Sequence, residues 1–264
     1  MRPVPAAVRP GSMPDAARRR RGARPRWLMH RMKPIRIALV MVIAASLATC
    51  ASHAQAPAPP LNRFVVVLDP AHGGDDSGAE LAGPAGQADA EKDFTLALGV
   101  RLRSLLAARG IQVTSTRESD LALTADQRAQ IANHAAAQAC LVLHGTAAGT
   151  GVHLFLSSLP PVPPARFAPW KTAQASWVAR SLALAGVLNS ALLHAGATVT
   201  LGRTALTTVD SMACPAVAVE VAPESAAKSA SGKPSGLNDP AYQARIAEAL
   251  AAGLLEWREE ERQP

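Results

Sequence analysis

Among the uninterrupted apolar stretches of this chain, three have strand length: Phe64-Val65-Val66-Val67-Leu68, Cys140-Leu141-Val142-Leu143 and Pro215-Ala216-Val217-Ala218-Val219. A strand wetted on one face alternates apolar and polar residues, so a strand-length run that does not alternate belongs between two covering layers. Helix-length segments separate these runs. Residues 91–108 put Phe94, Leu98, Leu102, Leu105 and Leu106 on one side and stop at Gly110. Thr124 opens a second helix to about residue 137, with Gln127 placed for a capping box. A long apolar helix is expected over 173–194, and Asp239-Pro240 begins another that runs to about 257. Further strands are expected at 111–116 and 152–157, with one or two short ones in 196–209. Segments 75–90 and 223–240 are rich in turn-forming residues and read as loops, the second mobile. Strands alternating with helices predict an α/β fold with a mostly parallel sheet covered on both faces. Ligands in such sheets sit at the C-terminal strand ends.

Charge separates the chain into a leader and a body. The formal net charge is +7, which taken alone suggests a nucleic-acid partner. Residues 1–36 hold eleven basic groups and one acid, and the remaining 228 hold sixteen basic and nineteen acidic groups. The body is therefore mildly acidic, lacks a basic stripe with interleaved aromatics, and predicts no nucleic-acid partner. Residues 37–48 are uncharged and mostly apolar, too short to span a bilayer, which takes about 20 residues. They follow Lys33 and Arg36 and precede Ser52-His53-Ala54. A basic segment, a short apolar core and a small-x-small site describe a secretory signal peptide. The expected organisation is a basic extension and signal over 1–54, a Pro/Ala tether over 55–63 and one domain over 64–260. The mature chain would have no transmembrane helix and would be periplasmic or secreted. Cleavage after Ala54 is favoured over lipidation at Cys50, and either Met1 or Met32 can serve as the start.

Three ionisable residues fall at or just beyond apolar strands: His72, His144 and Glu220. A fourth, Glu91, opens the first helix. Burying such groups is costly unless they are paired or bound to a metal. Two histidines and a carboxylate with one open position form the pattern of catalytic zinc. From the residues alone, a metal site and a scattered set of structural groups stand level. Asp69 either orients a ligand or caps the Gly73-Gly74 turn, with the turn preferred. Arg117 and Arg128 read as exposed or structural ion pairs, and His53, His134 and His194 as solvated or packing histidines; His153, in a strand two residues after Gly151, either faces the cleft or is a satisfied structural histidine, with the structural reading preferred. Trp170 and Trp177 read as core before sugar-stacking surface. Cys140 and Cys214 can form a disulfide if their strands are neighbours, and two buried free thiols stand at least level with that reading.

The ordered set Val65-Val66-Val67-Leu68-Asp69-Pro70-Ala71-His72-Gly73-Gly74, Glu91-Lys92-Asp93, Thr116-Arg117, the segment from Leu123 to Asn133, and those ending in His144 and Glu220 resembles zinc-dependent N-acetylmuramoyl-L-alanine amidases of the amidase 3 type. The resemblance implies a three-layer α/β/α sandwich around a roughly six-stranded sheet. It implies Zn2+ held by His72, Glu91 and His144, and Glu220 as the catalytic carboxylate. It also implies peptidoglycan (muramyl peptides) as partner and cleavage of the amide between N-acetylmuramic acid and L-alanine. The chain departs from the family pattern at Ala71, at Gly145-Thr146 and over Val221-Ala222-Pro223-Glu224. These departures alter the cleft rim and keep open an alternative, a catalytically degenerate, peptidoglycan-binding or regulatory protein. A zinc peptidase or deacetylase acting on another amide is a third reading. Regulated relatives carry an occluding helix; the segment 173–194 reads instead as an ordinary layer helix, and a need for a protein activator is not legible.

Overall fold

The computed structural model describes residues 63–82, 88–164, 169–229, 232 and 235–262. The leader and nearly all of the tether lie outside the described residues. The chain enters the sheet as β1 (Val65–Pro70), then forms an antiparallel ribbon of β2 (Glu80–Ala82) and β3 (Ala88–Ala90). Helix α1 (Glu91–Ala107) follows, then β4 (Gln112–Ser115), α2 (Ala125–His134), β5 (Ala139–Gly145) and β6 (Val152–Ser157). A 3-10 segment, Trp170–Ser176, leads into α3 (Val178–His194), β7 (Val199–Thr204), the single turn α4 (Thr207–Asp210), β8 (Ala216–Val221) and α5 (Pro240–Glu260).

Six strands form one sheet in the order β4-β1-β5-β8-β6-β7. The first four are parallel, whereas β6 runs antiparallel to β8 and parallel to β7. Alternate side chains of the central strands feed two cores. Leu141, Leu143, Val217 and Val219 meet Leu98 and Leu102 of α1, Leu184 and Leu188 of α3, and Leu250 and Leu254 of α5. On the other face Cys140, Val142, Ala216 and Ala218 meet Ala129 and Ala132 of α2 and Val209 of α4. Each leucine so buried contributes about 2 kcal/mol, and together these faces make the expected three-layer α/β/α sandwich. Cys140 and Cys214 are joined by a disulfide, which ties the start of β5 to the approach to β8.

The helix ends follow local chemistry. Thr124 and Gln127 form the capping box at α2. Asp239 accepts from Ala241 N–H with Pro240 at the first helical position of α5. Two segments differ from the sequence expectation. Residues 75–90 include the β2–β3 ribbon, Glu-Leu-Ala against Ala-Asp-Ala, held by backbone pairing that strands of three residues do not announce. The helix expected over 173–194 is broken: Trp170–Ser176 and α3 meet at 65°. The buried Gln174 amide donates to Met212 and Cys214 carbonyls and accepts from Ser181 Oγ. Val162 N–H takes the Ala175 carbonyl, so the first segment is tied to loops rather than to the next helical turn. Helix α3 buries Leu184, Leu188 and Leu192 in the core, as a layer helix does. No single described helix is long and apolar enough to cross a membrane. The base of the 223–240 loop is pinned by Glu224 N–H to Ser235 carbonyl, 2.9 Å.

Candidate metal centre

His72, Glu91 and His144 converge at the C-terminal ends of β1 and β5, and one donor atom from each lies within 4.8 Å of the others. Glu91 is the first residue of α1, where the helix dipole favours a carboxylate. The loop after β1 folds over this helix start: Glu91 N–H bonds Ala79 carbonyl and Ala79 N–H bonds Glu91 Oε2, at 3.0 and 2.9 Å. Glu91 Oε2 lies 3.1 Å from His72 Nε2. Glu91 Oε1 lies 2.8 Å from His144 Nδ1 and accepts Gly145 N–H at 3.0 Å. The carboxylate is 5% exposed, and the two imidazoles are 22% and 31% exposed. Burial alone would raise the Glu91 pKa, but the hydrogen bonds from His144, His72 and the two backbone N–H groups outweigh it and hold the carboxyl well below its ordinary range. The Glu91 hydrogen bond raises the His72 pKa above 6.5, against an opposing effect of burial and with help from Asp76.

The donor set fits a small divalent cation. A tetrahedral zinc with bonds of about 2.1 Å spaces its ligand atoms roughly 3.4 Å apart. Two neutral imidazoles and one carboxylate at the observed separations need only small adjustments to reach that arrangement. Outer contacts fix these side chains. Asp76 Oδ2 accepts from His72 Nδ1 at 2.9 Å, which leaves Nε2 facing Glu91. Gly78, at φ +68°, passes so close that a Cβ there would stand 2.7 Å from both Glu91 Cβ and His72 Cδ2.

The backbone of His72 itself is in the left-handed region, at φ +63°. For a residue with a Cβ this costs about 1–2 kcal/mol. Two buried arginines hold it there. Arg117 donates to Pro70 and Ala71 carbonyls, both at 2.9 Å. Arg128 donates to Pro70 carbonyl at 2.8 Å, His72 carbonyl at 2.6 Å and Asp69 Oδ1 at 2.7 Å. Three successive carbonyls, from Pro70 to His72, are thus gripped by two guanidiniums. The ion-pair reading of Arg128 holds, but both arginines are buried, and their hold on the loop is visible only in three dimensions. Asp69 neither caps the glycine turn nor touches a histidine: it accepts from Arg128 and Thr116 Oγ1.

Glu220 enters through register. It pairs with His144 across β5 and β8, on the same face of the sheet, and is half-buried. Beside His144 lies a recess of about 140 Å³ lined by Val142, Leu206, Thr207 and Ala218. The tryptophans are elsewhere: Trp170 and Trp177 line a cavity of about 580 Å³ with Asn133 and Arg180, at the opposite end of the strands. His134 and His194 bond carbonyls of their own helices.

A mostly parallel sheet between helical layers, with a His-Glu-His cluster at its strand ends, is the architecture of an α/β protein whose site could hold a metal ion. The family of N-acetylmuramoyl-L-alanine amidases (Amidase_3) matches residues 66–256, and the chain belongs to that family, whose general property is zinc dependence. A germination-specific N-acetylmuramoyl-L-alanine amidase of Bacillus subtilis is 34% identical over 99 residues, 32% of this chain and 40% of that protein. A probable cell wall amidase, LytH, of Staphylococcus saprophyticus is 42% identical over 71 residues, 27% of this chain and 24% of that protein. These matches therefore span less than half of the curated relatives' length. The catalytic domain of CwlV, an N-acetylmuramoyl-L-alanine amidase of Bacillus (Paenibacillus) polymyxa var. colistinus, superposes with a TM-score of 0.57 at 25% identity, covering 74% of this chain and 98% of that one. An N-acetylmuramoyl-L-alanine amidase of Clostridium difficile shares the fold at TM-score 0.54 and 20% identity, over 75% of this chain and 98% of that one.

Proposed function

We propose that the chain is an exported, zinc-dependent N-acetylmuramoyl-L-alanine amidase of peptidoglycan, with His72, Glu91 and His144 as the metal ligands and Glu220 as the general base and acid. The observation that carries this reading is the convergence of the three ligands at the sheet's C-terminal edge in a chain of this family. Zinc bound in such a site polarises a carbonyl and lowers the pKa of its water to about 7. Glu91 supplies the negative charge of the ligand set, and Asp76 keeps His72 Nε2 turned inward. The loop from Pro70 to His72 is pre-set by Arg117 and Arg128, so little reorganisation is left for metal binding. Glu220, beside His144 but bonded to none of the three ligands, is free to take a proton from the attacking water and pass it to the leaving amine. The bond cleaved is the amide between the lactyl group of muramic acid and L-alanine.

Export follows from the leader's charge and apolar core, and the Cys140–Cys214 disulfide supports an oxidising compartment. The test is Glu220→Ala. It should retain about one zinc per chain and its thermal midpoint while murein solubilisation falls by at least a hundredfold. Full activity in that variant removes Glu220 from the mechanism.

A further inference from the structure

β8 is flanked by β5 on one side and β6 on the other. The register sets Glu220 opposite His144 on β5 and opposite His153 on β6. His153 in turn stands opposite Thr200 on the edge strand β7. Residues paired in register share a face, so His144, Glu220, His153 and Thr200 form one polar row across the sheet. Neighbouring strands lie about 4.8 Å apart, which places the His153 backbone near Glu220 and roughly 10 Å from His144. The next row inward, Val142, Ala218, Phe155 and Gly202, has no charged residue.

This histidine is not satisfied as a packing residue would be. Its ring is half-buried, and Nδ1 lies 2.6 Å from Thr200 Oγ1. Nε2 has no hydrogen-bond partner among the described residues. The β5–β6 loop passes this edge at Gly149, φ +79°, where a Cβ would stand 3.0 Å from Nε2. A side chain at Gly149 would crowd this nitrogen, and glycine leaves that space open. Thr200 fixes the ring's orientation, and the hydroxyl can donate or accept, so Nε2 can take either role.

We infer that His153 is the residue that receives the peptide side of the substrate, through a hydrogen bond from Nε2 to a carbonyl or carboxylate of the residue that follows L-alanine. The inference rests on the amidase reading above and extends it to the substrate-binding cleft. The metal ligands lie on the β5 side of Glu220, so the reacting carbonyl is held there. Glu220 protonates the leaving amine. The peptide carrying that amine then continues past Glu220 on its other side, where the row presents His153.

The experiment compares two substrates, N-acetylmuramoyl-L-alanine and the same compound extended by further stem-peptide residues, with the wild-type chain, His153→Ala and Thr200→Val. Losing one hydrogen bond to substrate should lower the preference for the extended substrate about tenfold in His153→Ala, read as KM with kcat little changed. Thr200→Val, which frees the ring, should move the preference the same way by less. Thermal midpoints of both variants report any general loss of structure, which would raise KM for the two substrates alike. An unchanged preference in His153→Ala overturns the assignment while leaving the amidase reading in place. Failure of the wild-type chain to cleave either substrate overturns both.

Discussion

Replacing Arg128 by methionine separates the loop-holding network from the proposed metal ligands it serves. Arg128 and Asp69 are 6% and 1% exposed and 2.7 Å apart. Asp69 Oδ2 is buried with no partner already, so without the Arg128 guanidinium the Thr116 hydroxyl is the one hydrogen-bond donor left to the carboxylate among the described residues, with Arg117 acting on it only through its charge. Removing one partner of a buried ion pair typically costs about 3–5 kcal/mol. The Pro70 carbonyl keeps Arg117, whereas the His72 carbonyl loses its donor. Taking about 4 kcal/mol for a domain of this size, the thermal midpoint should fall by roughly 8–16 °C. A second substitution discriminates the cause. Most of the loss is an uncompensated buried charge, so Arg128→Met combined with Asp69→Asn should recover a large part of the stability. Zinc affinity should not recover, because the His72 carbonyl is still unheld and its left-handed backbone is free to relax. The assays are denaturant unfolding and zinc competition against a chelating dye. Loss of less than about 1 kcal/mol in the single variant, or wild-type zinc affinity in the double variant, would refute the reasoning.

Asp76→Asn removes the charged partner of His72 Nδ1 and should weaken zinc binding by about ten- to a hundredfold, with little change in unfolding of the metal-free chain. Reducing the Cys140–Cys214 disulfide, or replacing both cysteines by alanine, reopens a loop spanning 74 positions of sequence and should cost about 4 kcal/mol in the chain-entropy account, read by urea unfolding. The metal-free chain should be most stable between pH 4.5 and 6.5. The raised His72 pKa gives stability that is full below 6.5 and is lost as pH rises through the folded value. The lowered Glu91 pKa gives stability present above 4.5 and lost as pH falls through its folded value. Thermal midpoints in chelator that climb steadily to pH 8 would contradict that.

The central strands were legible because a run such as Val65-Val66-Val67-Leu68 has no polar face to turn to water. Their direction was not. β6 reverses against β8, yet Val-His-Leu-Phe-Leu-Ser reads the same whichever way it runs. The broken helix near Trp177 was hidden because the bonds that divert it come from Val162, Met212 and Cys214, distant in sequence. At the metal centre, the three ligand candidates could be selected as polar residues at strand and helix ends. What holds them could not: Asp76 has no pattern to distinguish it from Asp75, and Arg117 and Arg128 reveal their grip on the His72 loop only through carbonyls that carry no sequence signal. Along the chain His153 has a cleft-facing reading and a structural one, the second preferred, and the register beside Glu220 favours the first.

The most direct measurement is product analysis of murein incubated with the zinc-replete chain, beginning near Gln55, with metal content determined on the same sample. About one zinc per chain and the release of new L-alanine amino groups, without new reducing sugar ends, is the predicted result. Zinc-loaded protein that binds murein and frees no L-alanine amino group would contradict the account.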